Sequence, residues 1–478
     1  MTAETTADPY VPGHGDPSYD VLSYDLALDY SVETNKLSGT ATLRVVAREA
    51  LDRLTLDLYA LRVSKVTVDG AQPGRYSQRP GRLVVKTRRE VQPGQELVVV
   101  VTYAGTPRPM PGPDGEAGWE ELADGVIVAS QPHGAPSWYP CNDRPSDKAP
   151  YRISLTVPSE YHVVANGTLT SSRRRASTTT WVYEQPEPMA AYLATVQIGR
   201  YVRRTLREGT DGTDGTAGTA GTAGTGRAPG ADGSDAAATR GAVPIHAVFP
   251  PTATSAVERA FARQGEMLDV FVDAFGPYPF AAYTVVVTED TLEIPLEAQG
   301  LSVFSQGFLS TGWESQRLIA HELSHQWFGN SVTAARWQDI WLHEGFACYA
   351  EWVWSEASGG RSAADHAAEQ HARLAALPQD LVLGDPGTDD MFDDRVYKRG
   401  ALTLQALRGT VGDDVFWQIL RTWVAEHRHG SVTSADFVAL ASQVAGTDLL
   451  ELFTAWLTGL ELPDLPHARR SLLRRITG

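Results

Sequence analysis

The stretch HELSHQWFGN, His321 to Asn330, restricts this chain more than any other. A helix turns once every 3.6 residues, so His321 and His325 would share a face and offer two imidazoles to one cation. Glu322 projects from the edge of the same turn, close enough to reach a water held on that cation without being a ligand itself. A catalytic zinc takes three protein ligands and leaves a fourth position to water or substrate, so one more donor is needed. WQDIWLHEGFACYAE, Trp337 to Glu351, offers it. Glu344 follows His325 by nineteen positions, which is room for a helix end, a loop and the start of a second antiparallel helix. A plainer reading makes these two ordinary helices whose His and Glu residues form ion pairs and caps. It leaves the joint spacing of three ligands and a base unexplained.

Composition narrows the setting. At 478 residues the chain has room for two or three domains, with ample core to fold without disulfides. Its 41 basic and 58 acidic residues give a net charge of −17, which argues against nucleic acid as a partner. Cys141 and Cys348 are the only cysteines, and reduced thiols fit a cytoplasmic location. The N-terminus has no basic start and no apolar core, and no apolar run is long enough to span a bilayer. A soluble protein without a secretion signal or membrane partner is expected.

Taken in order, the chain changes period once. Tyr24, Leu26, Leu28 and Tyr30 alternate with polar residues, and the same period returns in Leu54, Leu56 and Leu58, in RLVVK ending at Lys86 and in LVVVVTY from Leu97. YRISLTVP from Tyr151 and YHVVANGTL from Tyr161 continue it. Residues 1–196 therefore read as an all-β, sandwich-like domain. Within it, Ser130 to Tyr151 is too rich in Pro, Gly and polar residues for a strand and is expected as a long loop at a domain edge. Residues 208–238 form a Gly/Thr/Ala tract that cannot bury enough surface to offset its ordering entropy. The strand-like stretches on both sides make it a disordered insertion in a hairpin loop.

After Pro251 the period becomes helical. Ser255 and Glu258 read as a capping box, Val257, Phe261, Leu268, Phe271 and Phe275 follow at helical intervals, and Gly276-Pro277 ends the run. YTVVVTED is a strand, and from Tyr397 onward helical segments alternate with turns. Residues 197–478 thus read as a mainly helical domain with a small sheet, giving an α+β, multidomain chain.

HELSHQWFGN, WLHEGFACYAE and VYKRGALTL, with YDLALDYSVETNKLSGTATL and YPCNDRPSDKA earlier, together resemble the gluzincin zinc aminopeptidases, the family of aminopeptidase N and the leukotriene hydrolase. The resemblance implies a thermolysin-like catalytic domain binding one Zn2+ through His321, His325 and Glu344, with Glu322 as general base and Tyr397 as catalytic tyrosine. It implies that Glu297 grips the substrate's α-amine, with Gln131 and Gly300 completing the substrate-binding subsite. Asp339 and Glu351, which flank Glu344, are candidates to accept hydrogen bonds from the metal histidines. The sequence departs from the family where Ala298 and Leu296 replace the asparagine and methionine beside Glu297, where His343 precedes Glu344, and where Pro136 replaces a common arginine. Many relatives continue into a further β domain and a large helical domain. A short two-domain form is expected, with a cleft that is more open or closed by a second subunit.

The reading is thus a zinc aminopeptidase acting on peptides with a free N-terminus. An epoxide hydrolase like the leukotriene hydrolase, an endopeptidase and a non-catalytic peptide-binding relative are the alternatives. Oligomeric state is not legible in the sequence.

Overall fold

The computed structural model describes residues 8–112, 115–209, 242–292 and 294–466. Its first part is built from strands. A seven-stranded sheet runs in the order Thr168–Arg175, Thr178–Ala190, Lys148–Pro158, Tyr19–Ser31, Lys36–Ala47, Glu96–Gly105, Leu61–Val68. The alternation seen around Tyr24 is the burial pattern of its central strand: Tyr24, Leu26, Leu28 and Tyr30 are all buried. That strand pairs parallel with Lys148–Pro158, matching Leu26 to Ile153. Leu51–Asp57, Arg82–Val91 and Arg75–Arg79 form a three-stranded sheet. A five-stranded sheet of His162–Ala165, Val196–Gly199, Gly125–Ala129, Gly115–Leu122 and Met110–Gly112 completes the part.

Two local expectations need correcting here. YHVVANGTL is not one strand: it breaks at Asn166-Gly167, where Gly167 takes φ +85, and its halves join different sheets. The Asn166 amide donates to the Leu193 and Gln299 carbonyls, so the break is held from both sides. The stretch from Ser130 is also not an edge loop, since nearly all of it up to Asp147 is buried, and a strand already starts at Lys148. It can be buried because its backbone finds partners inside. Cys141 exchanges both backbone hydrogen bonds with Asp57, and the Asp57 carboxylate accepts from the Asp143 and Gly15 amides.

The change of sheet lies between Gly199 and Val202. Val202–Arg207 pairs antiparallel with Ile245–Phe249, so the Gly/Thr/Ala tract joins two strands of one hairpin, while residues 210–241 lie outside the described residues. A further five-stranded sheet runs Val202–Arg207, Ile245–Phe249, Tyr283–Thr288, Leu301–Ser305, Leu296–Ala298, with parallel pairing in its centre.

Among the described residues the rest is mainly helical, with one two-stranded pair, Thr333–Ala334 and Ser431–Val432. The first five are α1 (Thr254–Ala260), α2 (Gln264–Phe275), α3 (Trp313–Ser324), α4 (Trp341–Ala357) and α5 (Ala363–Ala375). The last four are α6 (Asp394–Val411), α7 (Asp413–Glu426), α8 (Ser434–Ala445) and α9 (Leu450–Leu457). The expected capping box at Ser255 is absent. A 3-10 turn, Pro251–Ala253, leads into α1, the cap position is Ala253, and Ser255 lies inside the helix. The run also breaks between Ala260 and Gln264, and Gly276, at φ +101, ends α2. A capping box does occur at Thr433 and Asp436, opening α8.

Two contacts set the geometry of the cleft. Gly345 of α4 and Gly400 of α6 face each other so closely that a Cβ on Gly400 would stand 2.6 Å from the Gly345 Cα. Only hydrogen fits there. Glu344 and Tyr397 ride on these helices, so the glycine pair controls how near the two side chains come. Between the two parts of the chain, the buried Lys148 ammonium donates to the Asn330 and Ser331 carbonyls at 3.0 and 2.9 Å and to Thr333 Oγ1 at 2.9 Å. Burial pulls Lys148 down to about 7. Gly400→Ala is expected to push α4 and α6 apart and to cost about 1–3 kcal/mol, read as a lower urea midpoint with an unchanged slope.

Candidate active site

The last turn of α3 carries His321 and Glu322, and His325 caps it. The first turn of α4 carries Glu344. Glu344 Oε2 stands 3.2 Å from His321 Nε2 and 3.5 Å from His325 Nε2. The donor atoms of the three residues all lie within 4.8 Å of one another, and the residues are buried. Each imidazole is aimed from behind. His321 Nδ1 is 2.9 Å from Glu351 Oε1, and His325 Nδ1 is 3.0 Å from the Phe328 carbonyl. Both Nε2 atoms are thereby left to face Glu344.

The field at this point is negative. Burial by itself would favour neutral imidazoles, but Glu344 and Glu351 outweigh it for His321 and lift it to about 9. Glu297 and Glu344 do the same for His325, lifting it to about 10. Two bases that hold protons so firmly, beside a carboxylate kept well below its ordinary range by their charges against the pull of burial, form a site that attracts a cation. Two nitrogens and one carboxylate oxygen in this arrangement match the donor set of an open zinc site.

Glu322 is buried, and its Oε2 has no hydrogen-bond partner. Burial pushes its carboxyl up, a push that the charge of His321 only partly offsets. Such a group is suited to accept a proton. Tyr397 stacks on His321 with ring centroids 5.9 Å apart and planes at 22°. Burial, then the charges of Glu344 and Glu297, push its phenol well above the ordinary value, so its hydroxyl stays a donor. Glu297 is half-buried on the strand Leu296–Ala298, within ligand reach of Glu322 and His325. Burial raises it too, against the charge of His325.

A cavity of about 980 Å³ joins these groups. One wall comes from the β part: Glu116, Glu120, Ile127, Ala129, Ser130 and Gln131 line it. The register pairing Glu120 with Ile127 and Gly118 with Ala129 sets Glu116, Glu120, Ile127 and Ala129 on one face of two adjacent strands. Gln131 lies in that wall, and its side-chain nitrogen has no partner.

Two candidates do other work. Gly300, with φ +80, turns the hairpin between Leu296–Ala298 and Leu301–Ser305, and its N–H is already taken by Gln326 Oε1 at 2.8 Å. It has no free donor for a substrate. Asp339 accepts from the Ser434 amide and hydroxyl at the start of α8, and so serves that helix instead of a histidine. The Gly115–Leu122 and Gly125–Ala129 wall was not foreseen, although its alternation was present in the sequence. Lys398, beside Tyr397, and Arg317, one turn before His321, also line the cavity. Glu351→Gln is expected to weaken affinity for a divalent cation about 10- to 100-fold in competition with a chromogenic chelator, with the fold intact by circular dichroism.

Residues 259–456 match the Peptidase family M1 domain, and residues 20–193 match the Peptidase M1 N-terminal domain. The M1 zinc metallopeptidase of Deinococcus radiodurans, in a variant bound to a Tyr-Ser-Ala substrate, is 32% identical. The match covers 97% of this chain and 100% of that one, with a TM-score of 0.83. Aminopeptidase M1-B of Oryza sativa is 24% identical over 91% of this chain and 49% of its own length. Leucyl aminopeptidase of Saccharolobus solfataricus is 23% identical over 95% of this chain and 54% of its own. The chain thus spans about half the length of the curated relatives it matches. Two family domains spanning most of the chain, and a relative matched from end to end around the same fold, place it in peptidase family M1.

Proposed function

We propose that this protein is a zinc aminopeptidase that releases N-terminal residues from peptides. The observation that carries this reading is the position of Glu297. A half-buried carboxylate lies within ligand reach of His325 and Glu322, and the unpartnered Gln131 nitrogen belongs to a residue lining the same cavity. An ammonium group held there would bring the first peptide bond, and no later one, to the metal ligands. The Deinococcus relative, whose structure holds a Tyr-Ser-Ala substrate, supports a peptide as the substrate.

Zinc held by His321, His325 and Glu344 would supply a Lewis acid for the scissile carbonyl and lower the pKa of water. The chain's own residues do the remaining work. Glu322, with its free oxygen, takes the proton of the attacking water and delivers it to the departing amine. Tyr397 donates its hydroxyl to the oxyanion that develops on the carbonyl, an interaction commonly worth about 3–4 kcal/mol. Glu351 keeps the His321 proton on Nδ1. In this reading Glu297 and Gln131 bind and orient, while Glu322 and Tyr397 act on the reacting atoms.

The location that suits this enzyme is the cytoplasm, since Cys141 and Cys348 are both buried free thiols. Recovery in a membrane or secreted fraction would count against that placement. Among the described residues no helix is long and apolar enough to cross a membrane.

The experiment is a panel of amino-acid anilides and peptides, with and without a chelator, on wild type and Glu297→Ala. Hydrolysis should stop with chelator and return with zinc, and N-acetylation of a peptide should abolish its cleavage. Glu297→Ala should raise KM for free-amine substrates about 10- to 100-fold, the equivalent of one charge-assisted hydrogen bond or two. Unchanged cleavage of acetylated peptides would reassign the protein as an endopeptidase.

A further inference from the structure

Among the described residues that line the cavity, the arginine and lysine side chains are Arg317 and Lys398. The order can be followed through contacts. Glu297 lies beside His325, and both histidines face Glu344. Behind His321 comes Glu351, whose other oxygen is 3.6 Å from an Arg317 nitrogen. Lys398 reaches the same region from α6, with its Nζ 3.4 Å from Cys348 Sγ and 3.7 Å from Asp394. Along this series of contacts Glu297 stands at one end and the two cations at the other, with the metal ligands between them.

We propose that Arg317 and Lys398 receive a carboxylate of the substrate, so that the favoured substrates are short peptides with a free C-terminus or an acidic residue just past the cleaved bond. The proposal rests on the aminopeptidase reading and adds a substrate class to it. A peptide held by its ammonium at Glu297 runs toward this end, and its negative charge meets the cationic pair. The spacing agrees. Arg317 precedes His321 by four residues, about 6 Å along the helix axis. An extended peptide advances about 3.3 Å per residue, so a chain lying along that axis would meet Arg317 about two residues beyond the cleaved bond.

The acids nearby do not close this site. Arg317 pairs at 2.8 Å with Glu314, whose side chain is 80% exposed, and an exposed pair of that kind is easily exchanged for another carboxylate. Asp390 and Asp393 pair with Arg395, and Asp394 with Arg373 as well as Lys398. Asp389 is exposed, where solvent screens its charge. Arg317 has a bland role as well, that of holding Glu351 against His321. Loss of that role would slow every substrate alike, whereas loss of a carboxylate receptor changes the ratio between substrates.

The test compares four substrates on the full-length, zinc-loaded protein: Leu-Ala-Ala, its C-terminal amide, Leu-Asp-Ala amide and leucine 4-nitroanilide. Wild type should prefer the free acid over its amide by about tenfold in kcat/KM, mostly through KM, as one added charge-assisted contact would give. In Arg317→Gln that ratio should fall to near one, in Lys398→Gln it should fall part of the way, and Arg317→Lys should keep some of it. A preference carried instead by Leu-Asp-Ala amide, and lost in the same variants, would support the site with a side-chain carboxylate as its ligand. Equal rates for acid and amide in wild type, or a ratio that survives both glutamine substitutions, would overturn the proposal. Failure of wild type to cleave even the leucine anilide would strike the aminopeptidase reading itself.

Discussion

One carboxylate oxygen facing two imidazole nitrogens, at 3.2 and 3.5 Å, is the constraint around which the second half of the chain is built. Bringing these groups together and burying them is costly unless each is oriented and compensated. The compensation is visible. Glu351 and the Phe328 carbonyl hold the far nitrogens, and α4 is buried along most of its length, so Glu344 has little freedom to turn away. What remains is an excess of negative charge directed at one point, which a divalent cation relieves.

The same constraint explains the glycines. Tyr397 must stack on His321 from a helix that also packs on α4, and the backbones can approach only where neither residue carries a Cβ. Gly345 directly follows the ligand Glu344, and Gly400 lies three residues after Tyr397, so the close approach occurs within a turn of the chemistry. The HEGF and YKRG stretches that hold these glycines thus place packing contacts beside the candidate site residues. At the other side, Lys148 and the buried loop that begins at Ser130 tie the β part to the turn after the metal helix. The wall that carries Gln131 is therefore held in place relative to the histidines.

Much of this was legible because periodic patterns report local structure. The alternation of Tyr24, Leu26, Leu28 and Tyr30 became a buried strand face, and the helical segments after Tyr397 became α6 to α9. The failures share a cause. Ser255 lost its capping role because Pro251 opens a 3-10 turn before it, and the stretch after Ser130 was read as a loop at a domain edge because its partners, among them Asp57 more than eighty residues from Cys141, are not visible in its own composition. Gly300 and Asp339 were assigned by position, yet Gln326 and Ser434 had already claimed their polar groups.

By itself the sequence determined which residue types could hold a cation and at what helical spacing, because an i, i+4 pair is a property of one helix. It also determined the order of β-rich and helical parts, because each has its own hydrophobic period. Only the tertiary structure decided which acid orients which histidine, which glycines let two helices touch, and that Glu297, Arg317 and Lys398 line one cavity with the metal ligands. Those relations join residues far apart in the chain, and their distances follow from packing, which no local pattern encodes.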